Sequence, residues 1–152
     1  MSDTVRIRPA SAADAGLLVE FNRAMAAESE DKGLDVATLE RGVEHLLGHP
    51  DDGFYVMAER HGQPAGCLMV TYEWSDWRNG RFWWIQSVYV LPQHRRSGVY
   101  RALHAHVRER AGRDPEACGL RLYVERDNAG AMATYRALGM IETRYRLYEE
   151  EF

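Results

Sequence analysis

Cysteine and lysine are scarce in this sequence, and long apolar runs are missing from it. The two cysteines, Cys67 and Cys118, stand far apart in apolar stretches, with neither a CxxC spacing nor a nearby pair of histidines. That excludes a disulfide framework and gives no support to a metal site. Both are expected to be buried thiols in a reducing compartment. No window approaches the roughly eighteen apolar residues that a membrane-spanning helix needs, and Met1 to Val5 shows no basic region followed by an apolar run. A cytoplasmic location is the expectation. Positive charge is not in excess either: nineteen basic residues face twenty-three acidic ones, for a formal charge of -4. That balance argues against a binder of nucleic acid or anionic membrane and suits a cationic substrate better. Lys32 is the only lysine, a skew that carries no functional weight.

What is present reads as one globular unit. Apolar residues make up 45% and aromatics 11% of the 152 residues, enough for one core that buries roughly two-thirds of the unfolded surface. There is no repeat, linker or low-complexity segment, so a single domain over 1–152 is expected.

Val5, Ile7 and Pro9 alternate with Arg6 and Arg8, the period of a half-buried strand. Ser11 to Asp14 resembles a capping box with Asp in place of Glu, and Leu17, Leu18, Phe21 and Met25 continue at helical spacing to about Ala27. Asp35 or Thr38 caps a second helix with Leu39, Val43, Leu46 and Leu47 on one face, stopped by Gly48 and Pro50. Phe54–Glu59 and Ala65–Tyr72 read as strands joined by a hairpin at His61–Pro64. A second turn, Asp76–Gly80, contains the Asn-Gly dipeptide favoured in tight hairpins and leads into a long fourth strand, Phe82–Leu91, ended by Pro92.

A third helix carries Val99, Leu103, Val107 and Ala111, and a fifth strand spans Leu120–Val124. The helix between them implies a right-handed crossover and a parallel pair. Asn128 caps a fourth helix with Ala131, Tyr135 and Leu138, closed by Gly139, and Thr143–Tyr148 alternates as a last strand. The order predicts a mixed α+β fold.

The strand-to-helix turn Pro92-Gln-His-Arg95-Arg96-Ser97-Gly98-Val99-Tyr100 carries the clearest chemistry. Helix N-terminal N–H groups lack partners and carry partial positive charge, Gly98 permits close approach, and two arginines add full charges, which together suit a pyrophosphate. The plain alternative is a solvated turn. The turn has no Gly-Lys-Ser/Thr and no GxGxxG, so common nucleotide-binding loops do not describe it. The aromatics Trp74, Trp77, Phe82, Trp83 and Trp84 surround the second hairpin. They serve either as a cation-holding pocket or as core and interface, Trp83 and Trp84 fitting the structural role and Trp74 beside Glu73 the acceptor site. His94, His104 and His106 fit surface or packing roles.

Arg95-Arg96-Ser97-Gly98-Val99-Tyr100 resembles the Q/R-x-x-G-x-G/A motif of the GCN5-related N-acetyltransferases, with Tyr100 where a small residue is usual and Arg96 where glycine is common. Val88-Tyr89-Val90-Leu91-Pro92 resembles that family's lead-in. Asn128-Ala-Gly-Ala131 through Tyr135 to Gly139-Met140 resembles its N-x-x-A-x-x-x-Y-x-x-x-G-F pattern, with Met for Phe. The resemblance covers essentially the whole chain. It implies a mixed, mostly antiparallel sheet flanked by helices, whose parallel fourth and fifth strands splay to admit the pantetheine arm of acetyl-CoA. It implies that the backbone of Val88, Tyr89 and Val90, freed by a bulge, with Arg95, Arg96, Ser97, Gly98, Val99, Tyr100, Asn128 and Tyr135, binds this cosubstrate. Tyr135 is implied as general acid for the departing thiolate; its plain reading is a core tyrosine on the helix face.

A glutamate found on the fourth strand in some members is here Gln86, which cannot act as a base. The remaining carboxylates near the acceptor loops are Glu73, Asp76, Glu28, Glu30 and Asp31, each otherwise a solvated loop charge. Glu28, Glu73, Trp74 and Gln86 are the expected acceptor-site residues. The resemblance implies direct acetyl transfer to a primary amine, expected to be that of a small molecule, without a metal and in a chain that forms a homodimer, as several members do. A protein or peptide amine, a longer acyl group and a non-catalytic acyl-CoA-binding module stay open as alternatives.

Overall fold

A computed structural model describes residues 4–152, and these divide into two compact units, the first running to Leu122 and the second spanning Tyr123–Phe152. The first unit carries strands β1 (Val5–Pro9), β2 (Gly53–Arg60), β3 (Gln63–Ser75), β4 (Gly80–Val90) and β5 (Ala117–Arg121). It also carries helices α1 (Ala15–Glu30), α2 (Val36–Gly48) and α3 (Val99–Gly112). The strands form one sheet in the order β1-β2-β3-β4-β5. Neighbours pair antiparallel up to β4, and β4 pairs parallel with β5. The architecture is mixed α/β, as the element order predicts.

Both faces of the sheet are covered, which explains why β2 reads as a nearly continuous apolar run. Val56, Ala58, Leu68, Val70, Trp83 and Ile85 meet Val99, Leu103, Val107 and Ala111 of α3 on one face. Tyr55, Met57, Cys67 and Tyr89 meet Leu18, Val19 and Phe21 of α1 and Val43 and Leu46 of α2 on the other. Cys67 is buried, and burial pushes its thiol up to about 12, which leaves it unreactive. Cys118, expected to be buried, is exposed on β5, where the register passes from Ala117 to Gly119 and leaves it opposite no residue of β4.

Local signals hold at the helix ends. The Asp35 side chain accepts from Thr38 N–H at 3.0 Å at the start of α2. Asp14 closes its end of the capping box by accepting from Ser11 N–H at 2.8 Å, and both of its oxygens also receive the Arg8 guanidinium at 2.8 Å. In the hairpin between β2 and β3, His61 and Gly62 both take positive φ, the requirement of a two-residue turn. The second hairpin turn falls where the Asp76–Gly80 stretch places it. Its loop spans Asp76–Asn79, with Asn79 in the left-handed region and Gly80 already in β4.

Two strand assignments need correction. The fifth strand starts at Ala117 rather than Leu120 and ends at Arg121, because the ladder with β4 runs from Arg81↔Ala117 to Trp84↔Arg121. Its early residues lack an apolar alternation since Gly119 sits against Phe82, whose ring carbon would stand 2.9 Å from an added Cβ. The last expected strand, Thr143–Tyr148, forms no strand among the described residues. Alternation supplies a face to bury, but a strand also needs a ladder partner.

In the second unit, α4 (Ala129–Ala137) starts where expected, with Asn128 Oδ1 accepting from Ala131 N–H at 3.1 Å. It closes with Gly139 N–H donating to Arg136 O and Met140 N–H to Tyr135 O, both at 3.0 Å, the paired bonds of a Schellman end.

The Arg8 bond holds the Asp14 carboxyl below its ordinary range, against the opposing effect of burial. The folded state therefore favours ionised Asp14, so this stability is present above the unfolded value near 3.8 and is lost as pH falls through the folded one. Asp14→Ala is expected to cost about 2 kcal/mol at pH 7 by urea unfolding, with the gap to the parent protein closing below pH 4; a gap constant with pH would rule out the ionic contribution.

Candidate active site

The local geometry of β4 creates the site. Cys67 pairs with Tyr89 and Met69 with Gln86, so Ser87 and Val88 together oppose the single residue Leu68. This is a β-bulge, and Ser87 takes φ 48, in the left-handed region, to make it. The extra residue shifts the alternation of the strand. Before it, Trp83 and Ile85 face α3; after it, Val88 and Val90 do, and Tyr89 turns to the α1 face.

On the other side of β4 the ladder with β5 stops at Trp84↔Arg121. From Ile85 to Val90 that side of β4 pairs with no strand among the described residues. Val90 O is held by Arg95 Nε and Ser87 O accepts from Cys67 Sγ, while the absence of a ladder on that side suits the stretch to an extended ligand.

Beyond Val90, a 3-10 turn at Pro92–His94 and the loop Arg95–Gly98 lead into α3. Gly98 is the N-cap, at φ 84, and has no side chain with which to cap this end; no acidic residue stands in the first turn. A Cβ on Gly98 would meet nothing within 4 Å, so no described atom crowds the start of the helix on that side. Ser97 Oγ bonds back to the His94 carbonyl and braces the loop. Such an uncapped end attracts anions. These observations fit a pyrophosphate at α3 and an extended arm along β4.

The two loop arginines differ. Arg95 is already engaged: its Nε donates to Val90 O at 2.9 Å, its guanidinium donates to Glu28 Oε2 at 3.0 Å, and it stacks over the Tyr89 ring at 5.5 Å. Tyr89 Oη in turn donates to Glu28 Oε1 at 3.4 Å. Burial, with the Glu28 charge second, raises the Tyr89 phenol, which therefore keeps its proton. Arg96 is exposed in a left-handed conformation and bonds no described side chain. Of the two, Arg96 has the unengaged charge.

Tyr100, the bulky departure in the motif, turns inward. It packs against the α3-side core and its hydroxyl shares a hydrogen bond with Nδ1 of buried His104 at 3.1 Å. Burial pushes the His104 imidazole down, so it is neutral at pH 7.

The expected acceptor residues separate. Glu73 Oε1 accepts from Trp84 Nε1 at 3.2 Å and from Arg121 at 2.7 Å, while Gln86 Nε2 donates to Thr71 Oγ1 at 2.5 Å. Glu73, Thr71, Trp84 and Gln86 thus share one face across β3 and β4. Trp74 pairs with Arg81, whose guanidinium lies over Tyr72 and reaches Asp114 on the α3 side. It therefore lies on the opposite face from Glu73, although the two are adjacent in sequence. Arg121, bonded to Glu73 and 3.6 Å over the Phe82 ring, escaped the sequence reading because nothing local signals which strands become neighbours. In the second unit, Tyr135 is half-buried on α4, and burial raises its phenol, so it is a protonated donor at neutral pH.

Because the left-handed conformation costs a non-glycine residue roughly 1 kcal/mol, Ser87→Gly is expected to match or exceed the parent stability. Ser87→Val should lose about 2 kcal/mol in thermal or urea unfolding. Equal losses for both would mean that the bulge does not depend on this conformation.

The family described as the Acetyltransferase (GNAT) family matches residues 18–140. A search of curated proteins gives no match. Among solved structures, the chain is similar to "a possible acetyltransferase" from Clostridium difficile 630, at 41% identity over 97% of both chains with a TM-score of 0.90. At 19% identity it shares the fold of a "predicted acetyltransferase with acetyl-CoA" from Clostridium acetobutylicum, with a TM-score of 0.79 over 97% of this chain and 96% of that one. It shares it also with the ribosomal-protein-alanine N-acetyltransferase of Brucella melitensis biovar Abortus 2308, at 19% identity and a TM-score of 0.77 over 98% and 99%. With a matched segment that runs from α1 through the bulged strand and the open α3 turn to the end of α4, the chain belongs to the acetyltransferase (GNAT) family.

Proposed function

We propose that this chain is an N-acetyltransferase that moves the acetyl group of acetyl-CoA directly to the primary amine of a small molecule. The observation that carries the reading is the unpaired side of β4 from Ile85 to Val90 running into the uncapped, glycine-started end of α3. Val88, Tyr89 and Val90 would hold the pantetheine arm through their backbone. The α3 turn, with Arg96, Ser97, Gly98 and Val99, would hold the pyrophosphate. The matched family segment spans both compact units, which supports treating 1–152 as one functional domain. Two unpaired cysteines suit a reducing, cytoplasmic setting.

Acetyl-CoA supplies an activated thioester, and the residues of the chain have two tasks around it. One is to lose the amine proton, since an alkylamine is mostly protonated at neutral pH. Gln86 cannot take it, and the charges of Glu28 and Glu73 are balanced by Arg95 and Arg121. These carboxylates serve better as fixed anions that orient an ammonium, with water carrying the proton away. The other task is to protonate the leaving sulfur. Asn128 fixes the start of α4, and Tyr135, kept protonated by burial, is the donor. Neither cysteine is a nucleophile on this reading: Cys67 is buried with its thiol raised to about 12, and Cys118 stands on β5, outside both motifs.

Calorimetric titration with acetyl-CoA tests the site, and CoA release with a panel of amines and a peptide control tests the acceptor class. Micromolar binding and turnover with small amines are expected; binding without turnover on any amine would favour the non-catalytic module. Arg96→Ala should weaken acetyl-CoA about tenfold, or roughly 1.4 kcal/mol, and an unchanged affinity would remove Arg96 from the site. Tyr135→Phe should lower kcat by roughly a hundredfold with KM for acetyl-CoA within about twofold. A loss confined to KM would assign Tyr135 to binding instead.

A further inference from the structure

Between α1 and the turn that follows β4 lies a groove of about 530 Å³, formed by residues of the first unit alone. That is the size of a small-molecule site. Leu17, Phe21 and Ala24 line it from α1, at the spacing that puts them on one face of a helix. Pro64 of β3, Tyr89 of β4 and Leu91 just after it form the opposite wall. The Phe21 and Tyr89 rings meet there in a tilted corner, with 5.4 Å between their centroids.

The polar lining is Glu20, Gln63, Gln93 and His94. None of these four side chains bonds another group among the described residues, and His94 Nδ1 is buried without a partner. Glu20 is the only Asp, Glu, Lys or Arg among the described residues of the lining, and no cation pairs with it. Arg95 stacks on the Tyr89 ring but is bonded to Glu28 and Val90 O and is no part of the lining.

We propose that this groove binds a small molecule made of an ammonium on an aromatic body, the ring against the Phe21–Tyr89 wall and the charge beside Glu20. A cation answers the unpaired carboxylate, whereas an anion of the same shape would be repelled by it. A ring suits apolar walls whose own rings are tilted and present both faces and edges. The two amides and the imidazole give the few polar contacts that orient such a ligand. The groove is distinct from the stretch proposed for acetyl-CoA. It includes β3 residues and so lies on the β3 side of β4, while the stretch without a ladder faces the β5 side. Tyr89 is common to both, giving its ring here and its backbone there, and none of Glu28, Glu73, Trp74 and Gln86 lines the groove. Occupancy of the groove does not depend on acetyl transfer.

Phenethylammonium, titrated into the full chain and followed by amide NMR shifts, is the probe. Saturable shifts gathered on Leu17–Ala24, Gln63–Pro64 and Leu91–His94 are expected, with a Kd of about 1 mM or tighter for a ligand of this size. Shifts confined to other residues, or none at all up to about 10 mM, overturn the proposal. Glu20→Gln, a change at an exposed position, should weaken the probe about fivefold, and hydrocinnamate, a similarly shaped anion, should bind at least about fivefold less tightly than the ammonium. Equal binding in either comparison overturns the assignment of an ammonium. Ala24→Trp fills the groove and should abolish the shifts with the melting temperature kept near that of the parent protein, and shifts that persist in the folded variant overturn the site.

Discussion

The constraint on which the rest of this structure depends is that backbone donors and acceptors away from water must be paired. β4 satisfies it along β3 but only as far as Trp84 along β5. The remaining length is a deficit built into the middle of the sheet rather than at its margin, where a strand would be free to fray. The bulge at Ser87 and Val88 places that deficit. It bends β4, and by adding one residue it turns Tyr89 toward α1 while keeping Val88 and Val90 against α3. Side-chain order is thereby preserved on both faces while the same residues keep a side without a ladder.

Packing then fixes what charge does near the opening. Tyr89 reaches α1 only because of the bulge, and there it meets Glu28, which in turn holds Arg95. Arg95 also bonds Val90 O, so the last turn of α1, the end of β4 and the loop before α3 are tied through one guanidinium. Exposed ion pairs add little to stability, and this one matters more for where it holds the loop. With Arg95 committed to protein contacts, the positive character facing the open α3 end comes from Arg96 and the helix itself.

How much of this was legible in the sequence follows from the range of each determinant. Asp35, Asn128, Gly139 and the His61-Gly62 turn act within four residues, and all are found where their local chemistry places them. The α3 turn is legible for the same reason: a strand ended by Pro92, a glycine and a helical period lie in one short stretch. The start of β5 is not, since Gly119 earns its place through the Phe82 ring on another strand. The partnership of Glu73 with Arg121 depends on the β4–β5 register, which alternation alone does not contain. Trp74 illustrates the converse error. Adjacency in sequence suggests a shared pocket with Glu73, whereas strand pleating sends neighbours to opposite faces. Thr143–Tyr148 alternates as a half-buried strand does but forms none among the described residues, since a strand also depends on a partner that the pattern does not specify.

Tyr100 shows how a bulky residue enters a turn whose motif favours a small one. On α3 it follows Val99 and stands one turn before His104, so the helical period that brings Leu103 and Val107 onto the sheet carries the Tyr100 ring along the edge of the same core. Its hydroxyl shares a hydrogen bond there with His104 Nδ1. That arrangement has a consequence for His104 in turn: its Nε2 is buried with no hydrogen-bond partner among the described residues, and a buried imidazole so placed is destabilised by protonation. The Tyr100 ring is thus held inward by the core and by a neutral His104. A residue that looks like an obstruction when read along the chain is, in the folded state, part of the wall behind the site rather than a lid over it.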